Sequence, residues 1–135
     1  MTPDTMLTDA EILAAEWACA RLVARYANLN DAGAWEKLAD LYAEDGCFAR
    51  PAAPTEVVHG RAAILESLRA RPLRKSRHIC SNIVIDVVSP VEARGECAMA
   101  LFIEGAEPKV GTFRDRFIRT GQGWRFSERF GSLAY

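Results

Sequence analysis

Only two histidines occur among the 135 residues, and one of them opens the segment "SRHICSNIVIDVVS" (76–89). That segment reads as a strand, yet it carries His78 at its start and Asn82 in its apolar middle. Free imidazole titrates near ~6.5, so a histidine held in a pocket is a usable base at neutral pH. The competing reading is a solvated residue at a strand end. Asn82 shares strand parity with His78, which makes it either pocket-facing or bound to backbone. His59 precedes the helix-opening Gly60 and reads as a surface residue.

Other reactive types offer less. Cys19, Cys47, Cys80 and Cys97 are widely spaced and contain no C-x-x-C pair, so with two histidines they do not make a standard zinc site. They read as small core residues. Asp31 stands between two helical segments, where it could cap the second helix or hold an Asx turn. Tyr26 falls on the apolar face of the first helix and could be plain core.

The elements that must position these groups follow from periodicity and punctuation. "TDAE" (8–11) fits a capping box, with Thr8 accepting from an early helical N–H and Glu11 reaching back. The following "ILAAEWACARLVARYANLN" is amphipathic and helical, and Asp31 and Gly33 break it. "AWEKLADLYAED" (34–45) resumes helical spacing, "GCFAR" reads as a short strand and "PAAPTE" as a loop. "GRAAILESLRAR" (60–71) is a third helix stopped by Pro72. After Pro72 four strands follow, "RHICSNIVIDVV", "VEARGECAMALFIE", "KVGTFRDRFIRT" and "GWRFSERFGSLAY", joined by turn chemistry. Strands so close in sequence form an antiparallel meander. Helices first and a sheet afterwards predict one α+β domain over 1–135, with the helices laid on one face of a curved sheet.

Composition narrows the function classes. A net charge of -1 with half the residues apolar predicts a folded, near-neutral protein. The densest basic stretch, "RARPLRKSR" (69–77), is broken by Pro72 and has no aromatics, so no nucleic-acid partner is expected. No apolar run reaches ~18 residues and the N-terminus lacks a leader pattern, so neither a membrane span nor secretion is expected. A reduced, cytoplasmic protein is the default. Alternation in "FRDRFI" would allow self-association through the outer sheet face, giving a homo-oligomer, dimer or trimer.

At "YANLNDAGAWEKLADLYAEDGCF" (26–48) the chain resembles the SnoaL-like branch of the nuclear transport factor 2-like superfamily. Tyr26, Asp31, Trp35, Leu38, Leu41, Asp45-Gly46 and Phe48 carry the likeness, and "HGRAAI" (59–64), "RHICSNIVIDVVS" and "GWRFSERF" extend it across nearly the whole chain. The resemblance implies a cone-shaped α+β barrel, a curved and mostly antiparallel sheet wrapped around the N-terminal helices, with an apolar pocket between them. It is nearest to scytalone dehydratase, bile acid 7α-dehydratase and hexachlorocyclohexane dehydrochlorinase. On that pattern Asp31 and His78 fall on a catalytic aspartate and histidine, Tyr26 on a substrate-binding tyrosine, and Arg129 on a shared arginine. Scytalone dehydratase has a second histidine on the next strand, where this chain reads "CAMALF".

An Asp-His dyad suits a β-elimination: imidazole removes a proton from carbon while the carboxylate fixes its tautomer and stabilises the imidazolium. Arg129 could stabilise developing negative charge. Strict alternation groups Arg129 with Arg125 and Ser127, which is odd for a pocket wall, and pairing with Glu128 or Asp115 is the plain alternative. Family pattern and alternation place Phe48, Leu73, Cys97, Met99, Leu101 and Phe113 in the pocket wall, with Arg50 near the mouth. The resemblance therefore implies a lyase or related isomerase, needing no cofactor or metal, on a hydrophobic cyclic small molecule. The other class it allows is a non-catalytic binder, or a small subunit of a ring-hydroxylating dioxygenase.

Overall fold

The computed structural model describes residues 6–135. The first five residues, part of the stretch read above for a leader, lie outside the described residues. Helix α1 runs Asp9–Ala32. Thr8 caps it, its Oγ accepting from the Glu11 N–H at 3.1 Å, and Asp9 and Glu11 place negative charge at the positive end of the helix dipole. Gly33 ends it in the left-handed region at φ 66, where its N–H reaches the carbonyls of Leu29 and Asn30. Asp31 therefore lies inside the last turn rather than breaking the helix.

Helix α2 is only Trp35–Ala39, and strand β1 begins at Tyr42 and runs to Ala49. The helical reading of 34–45 is corrected here: its second half is strand. The reason is non-local, because β1 pairs in parallel with the last strand of the chain, and Tyr42 and Phe48 enter the core from it. At Gly46 an added Cβ would stand 3.0 Å from the Ala43 carbonyl and 3.1 Å from that of Phe126, a close backbone approach that favours glycine. Strand β2, Val58–His59, pairs antiparallel with β1, and helix α3, Arg61–Arg69, follows.

The remaining strands are β3 (Ser76–Ser89), β4 (Glu92–Ile103), β5 (Lys109–Thr120) and β6 (Gly123–Leu133). They form the expected meander, and the full order is β2-β1-β6-β5-β4-β3. The result is an open, curved, mostly antiparallel sheet. Helix α1 packs across β3, β4 and β6, while α3 packs on β1 and α2. Between helix and sheet lies a cluster of rings: Tyr26, Tyr42, Phe48, Phe113, Phe117 and Phe126, with neighbouring centroids 5.0 to 6.4 Å apart. Each such pair adds about 0.5–1.5 kcal/mol beyond its buried area.

Two bulges decide which side chains face inward. On β3 the register with β4 shifts between Ser81 and Val84. Even positions are covered before it (Ser76, His78, Cys80) and odd ones after it (Ile83, Ile85, Val87). On β6 the register with β5 shifts at Ser127, so Phe126 and Arg129 both point inward. The "FRDRFI" argument for self-association does not survive. Phe113 and Phe117 are core residues at 5% and 1% exposure, and Arg114 and Arg116 occupy the outer face. No described helix is long and apolar enough to cross a membrane.

Candidate active site

A cavity of about 230 Å³ opens between α1, the loop after β1, the α3–β3 connection and the inner faces of β3 to β6. Its apolar wall comes from Phe48, Met99, Leu101 and Phe113. His78 enters from β3 and Tyr26 from α1. A larger hollow of about 830 Å³ is an open groove on the outer sheet face. Its charges are largely paired across strands (Arg114 with Glu96, Arg116 with Glu128), and it holds neither histidine.

His78 and Asp31 meet at the edge of the sheet. β3 is the edge strand, so backbone N–H groups facing away from β4 need another partner. Asp31 supplies it: Oδ2 accepts from the His78 backbone N–H at 2.7 Å, while Oδ1 lies 2.6 Å from the ring Nδ1. Ser76 Oγ donates to the same Oδ1 at 3.2 Å. Both side chains are nearly dry, at 9% and 7% exposure. Asp31 caps no helix: α2 has Ala34 at its N-cap and no side-chain cap bond. With a carboxylate on Nδ1, the proton sits on Nδ1 and the Nε2 lone pair is left free. Nε2 makes no hydrogen bond to the described residues, and the ring lines the cavity.

Burial pushes the His78 pKa below 6.5. The hydrogen bond and charge of Asp31 oppose that, while Arg74 and Arg71 reinforce it. The neutral form of the ring is therefore favoured at pH 7. Tyr26 is raised above its ordinary value, chiefly by burial, and so stays protonated. Its hydroxyl lies 3.1 Å from that of Tyr42.

Arg129 is inward but does not reach the cavity. It is fully buried beneath it, with its guanidinium 3.9 Å from the Phe113 ring centre and 4.3 Å from that of Tyr26. Its Nε stands 3.4 Å from Asp115 Oδ1, so the pairing alternative holds, with Asp115 rather than Glu128 as partner. Burial acts to lower its pKa, but Asp115, Tyr26, Cys97 and Tyr42 together raise it. Burial in turn lifts Asp115 to about 6 against the pull of Arg129. Cys97 lies in this same buried layer, 3.7 Å from an Arg129 nitrogen, and is not part of the cavity wall. It thus has a basic neighbour that the sequence did not reveal.

Two further positions are corrected. Leu73 is 97% exposed, because it lies in the irregular connection after Pro72. Asn82 is exposed on the outer groove, since the β3 bulge reverses the parity it was assumed to share with His78. Its backbone is left-handed, φ 53, as asparagine tolerates at a bulge.

The site also contains groups the sequence reading missed. Asn30 is buried and lines the cavity; it follows Tyr26 by four residues on α1, a spacing that places both on one face. Arg50, Arg71, Arg74 and Lys109 also line the cavity. Among the described residues no cluster of three or more His, Cys, Asp or Glu could hold a metal ion.

Residues 11–130 match the SnoaL-like domain family. The chain belongs to that family. Among solved structures, an NTF2-like protein with a cystatin-like fold from Novosphingobium aromaticivorans is 27% identical, with 93% of this chain and 85% of that one covered and a TM-score of 0.82. A candidate scytalone dehydratase from the same organism is 24% identical over 95% of this chain and 89% of its own, with a TM-score of 0.83. The hexachlorocyclohexane dehydrochlorinase LinA-type3 from Novosphingobium barchaimii is 18% identical over 95% and 92%, with a TM-score of 0.81. These likenesses place the fold of this SnoaL-like chain among NTF2-like, cystatin-like structures. A comparison with curated proteins found no match.

Proposed function

We propose that this SnoaL-like protein is a cofactor-independent lyase that performs a β-elimination, in the manner of a dehydratase, on a hydrophobic cyclic small molecule. The observation that carries the reading is the contact between Asp31 and the Nδ1 of a nearly dry His78 whose ring lines a cavity beside Phe48, Met99, Leu101 and Phe113. Nε2 removes a proton from a ring carbon, and the electron pair of that C–H bond becomes the new double bond as the neighbouring C–O bond breaks. The imidazolium, held by Asp31, returns the proton to the departing hydroxide, so water leaves and the base is regenerated. Tyr26 donates a hydrogen bond to the substrate oxygen, and Asn30 offers a second polar contact. The dehydratase and dehydrochlorinase named among the structural neighbours carry elimination in their names, which supports this chemistry over hydrolysis.

General acid–base catalysis contributes about 10²–10⁴-fold. A screen of hydroxylated one- and two-ring compounds, read by mass spectrometry for loss of water, tests the proposal. In His78→Gln, turnover should fall by about that factor while binding persists. Unchanged turnover in His78→Gln refutes the base assignment. Binding without turnover by the wild type would make the protein a binder.

A further inference from the structure

The cavity that holds His78 is ringed on one side by positive charge. Arg50 follows β1, Arg71 and Arg74 lie in the α3–β3 connection, and Lys109 opens β5, so three separate segments bring cations to one opening. No aspartate or glutamate lines it. None of the four has an acidic partner among the ion pairs of the described residues, and what sets them apart from the other unpaired cations is that they share one opening. Asp31 makes no ion pair with any of them; its oxygens accept from His78 and Ser76.

Arg71 is the innermost. It is half-buried, its guanidinium stands 5.9 Å over the Phe48 ring, and the Pro72 that follows restricts its backbone. Burial lowers its pKa, and the like charges of Arg50 and Arg74 add to that effect. Cations scattered over a surface are solvated and cost little. Here Arg50, Arg74 and Lys109 are exposed while Arg71 is half-buried; gathered at one opening they repel one another, and an anion relieves the repulsion. A guanidinium also presents a planar fork matched to a carboxylate.

We propose that the substrate is a ring-containing carboxylate. Its apolar body fills the space beside Phe48, Met99 and Phe113, and its carboxylate is held at the cationic rim by Arg71 with Arg50 and Arg74 around it. This rests on the reading of the cavity as a substrate site and names the class of molecule it takes. The cavity is below the ~300–1,000 Å³ of drug-sized sites, which suits a body of one or two rings. The carboxylate anchors one end of the molecule so that a carbon at the other end meets Nε2.

The test compares 2-naphthoate with its neutral analogue 2-naphthalenemethanol, by calorimetry at low salt, on wild type, Arg71→Gln and Arg50→Gln/Arg74→Gln. The imidazole resonances of His78 report whether the probe enters the cavity. A hydrogen-bonded charge contact corresponds to about tenfold or more in affinity, so the wild type should prefer the acid by that factor. The ratio of acid to alcohol affinity should fall to about threefold or less in each variant. Bound naphthoate should also shift the His78 imidazole resonances, since the ring lines the cavity. Equal affinity for acid and alcohol, no binding of either, binding that leaves His78 unmoved, or an acid preference that survives in both variants overturns the proposal. The Asp31–His78 dyad is judged separately, from the His78 tautomer in the ligand-free protein, so the two readings can fail independently.

Discussion

Replacing Asp31 by asparagine separates a catalytic dyad from a merely structural contact. The carboxylate accepts three hydrogen bonds, from the His78 backbone N–H (2.7 Å), His78 Nδ1 (2.6 Å) and Ser76 Oγ (3.2 Å). Asparagine has one acceptor oxygen and an NH₂ that must donate. If the oxygen faces Nδ1–H, the NH₂ opposes the backbone N–H, and a buried donor is left unmet at about 1–3 kcal/mol. If the oxygen takes the backbone N–H, the NH₂ faces Nδ1, which must then be the bare nitrogen. The second arrangement wins because the ring can move its proton and the backbone cannot. The proton shifts to Nε2, the atom left free for the cavity, and the base is blocked. Loss of the corresponding tautomer in hydrolase triads costs about 10⁴ in rate. Exchanging a charged for a neutral acceptor removes about 1–2 kcal/mol, a fall in Tm of roughly 3–8 °C for a chain of this size. Long-range nitrogen NMR reads the tautomer directly, and with two histidines one mutant assigns the spectrum. A variant in which Nε2 stays unprotonated, or a wild type whose His78 interconverts freely between tautomers, refutes the reasoning.

Three other outcomes follow from the same geometry. The rate against pH should rise with loss of a single proton whose midpoint lies below 6.5, because burial holds His78 in its neutral form; a midpoint at 7 or above contradicts the site as described. Arg129→Met should cost about 3–5 kcal/mol in urea unfolding, since it strands Asp115 in a dry layer. Asp115→Asn tests the same pair by pH. Asp115 has a folded pKa near 6, above its unfolded value, so the native state binds the extra proton and wild-type stability falls as pH rises from about 4 to 6. The stability deficit of the variant should therefore shrink over that interval, and a constant deficit would show that the carboxyl titrates normally.

Much of the fold was legible because its signals are local. Thr8, Gly33 and Pro72 punctuate the helices through their own backbone chemistry, and the meander of β3 to β6 is built from neighbours in sequence. The exception is β1, whose parallel partner β6 lies some eighty residues away, so its helix-like spacing won locally and lost to pairing and burial. Residue type likewise raised His78 as a candidate, and the family likeness raised Asp31 and Tyr26.

Inward or outward direction was another matter. The sequence alone determined that the chain is α+β, that its strands alternate and that a histidine opens the first long one. Only the tertiary structure decided that Asn82 turns outward, that Arg129 is sealed beneath Tyr26 and Phe113, and that Arg71 and Arg74 of a plain basic stretch face the cavity. The physical reason is that a strand's period of two is a rule without memory. One bulge reverses every side chain beyond it. Whether a charge meets a partner depends on segments far apart in the chain, which spacing along one segment does not encode.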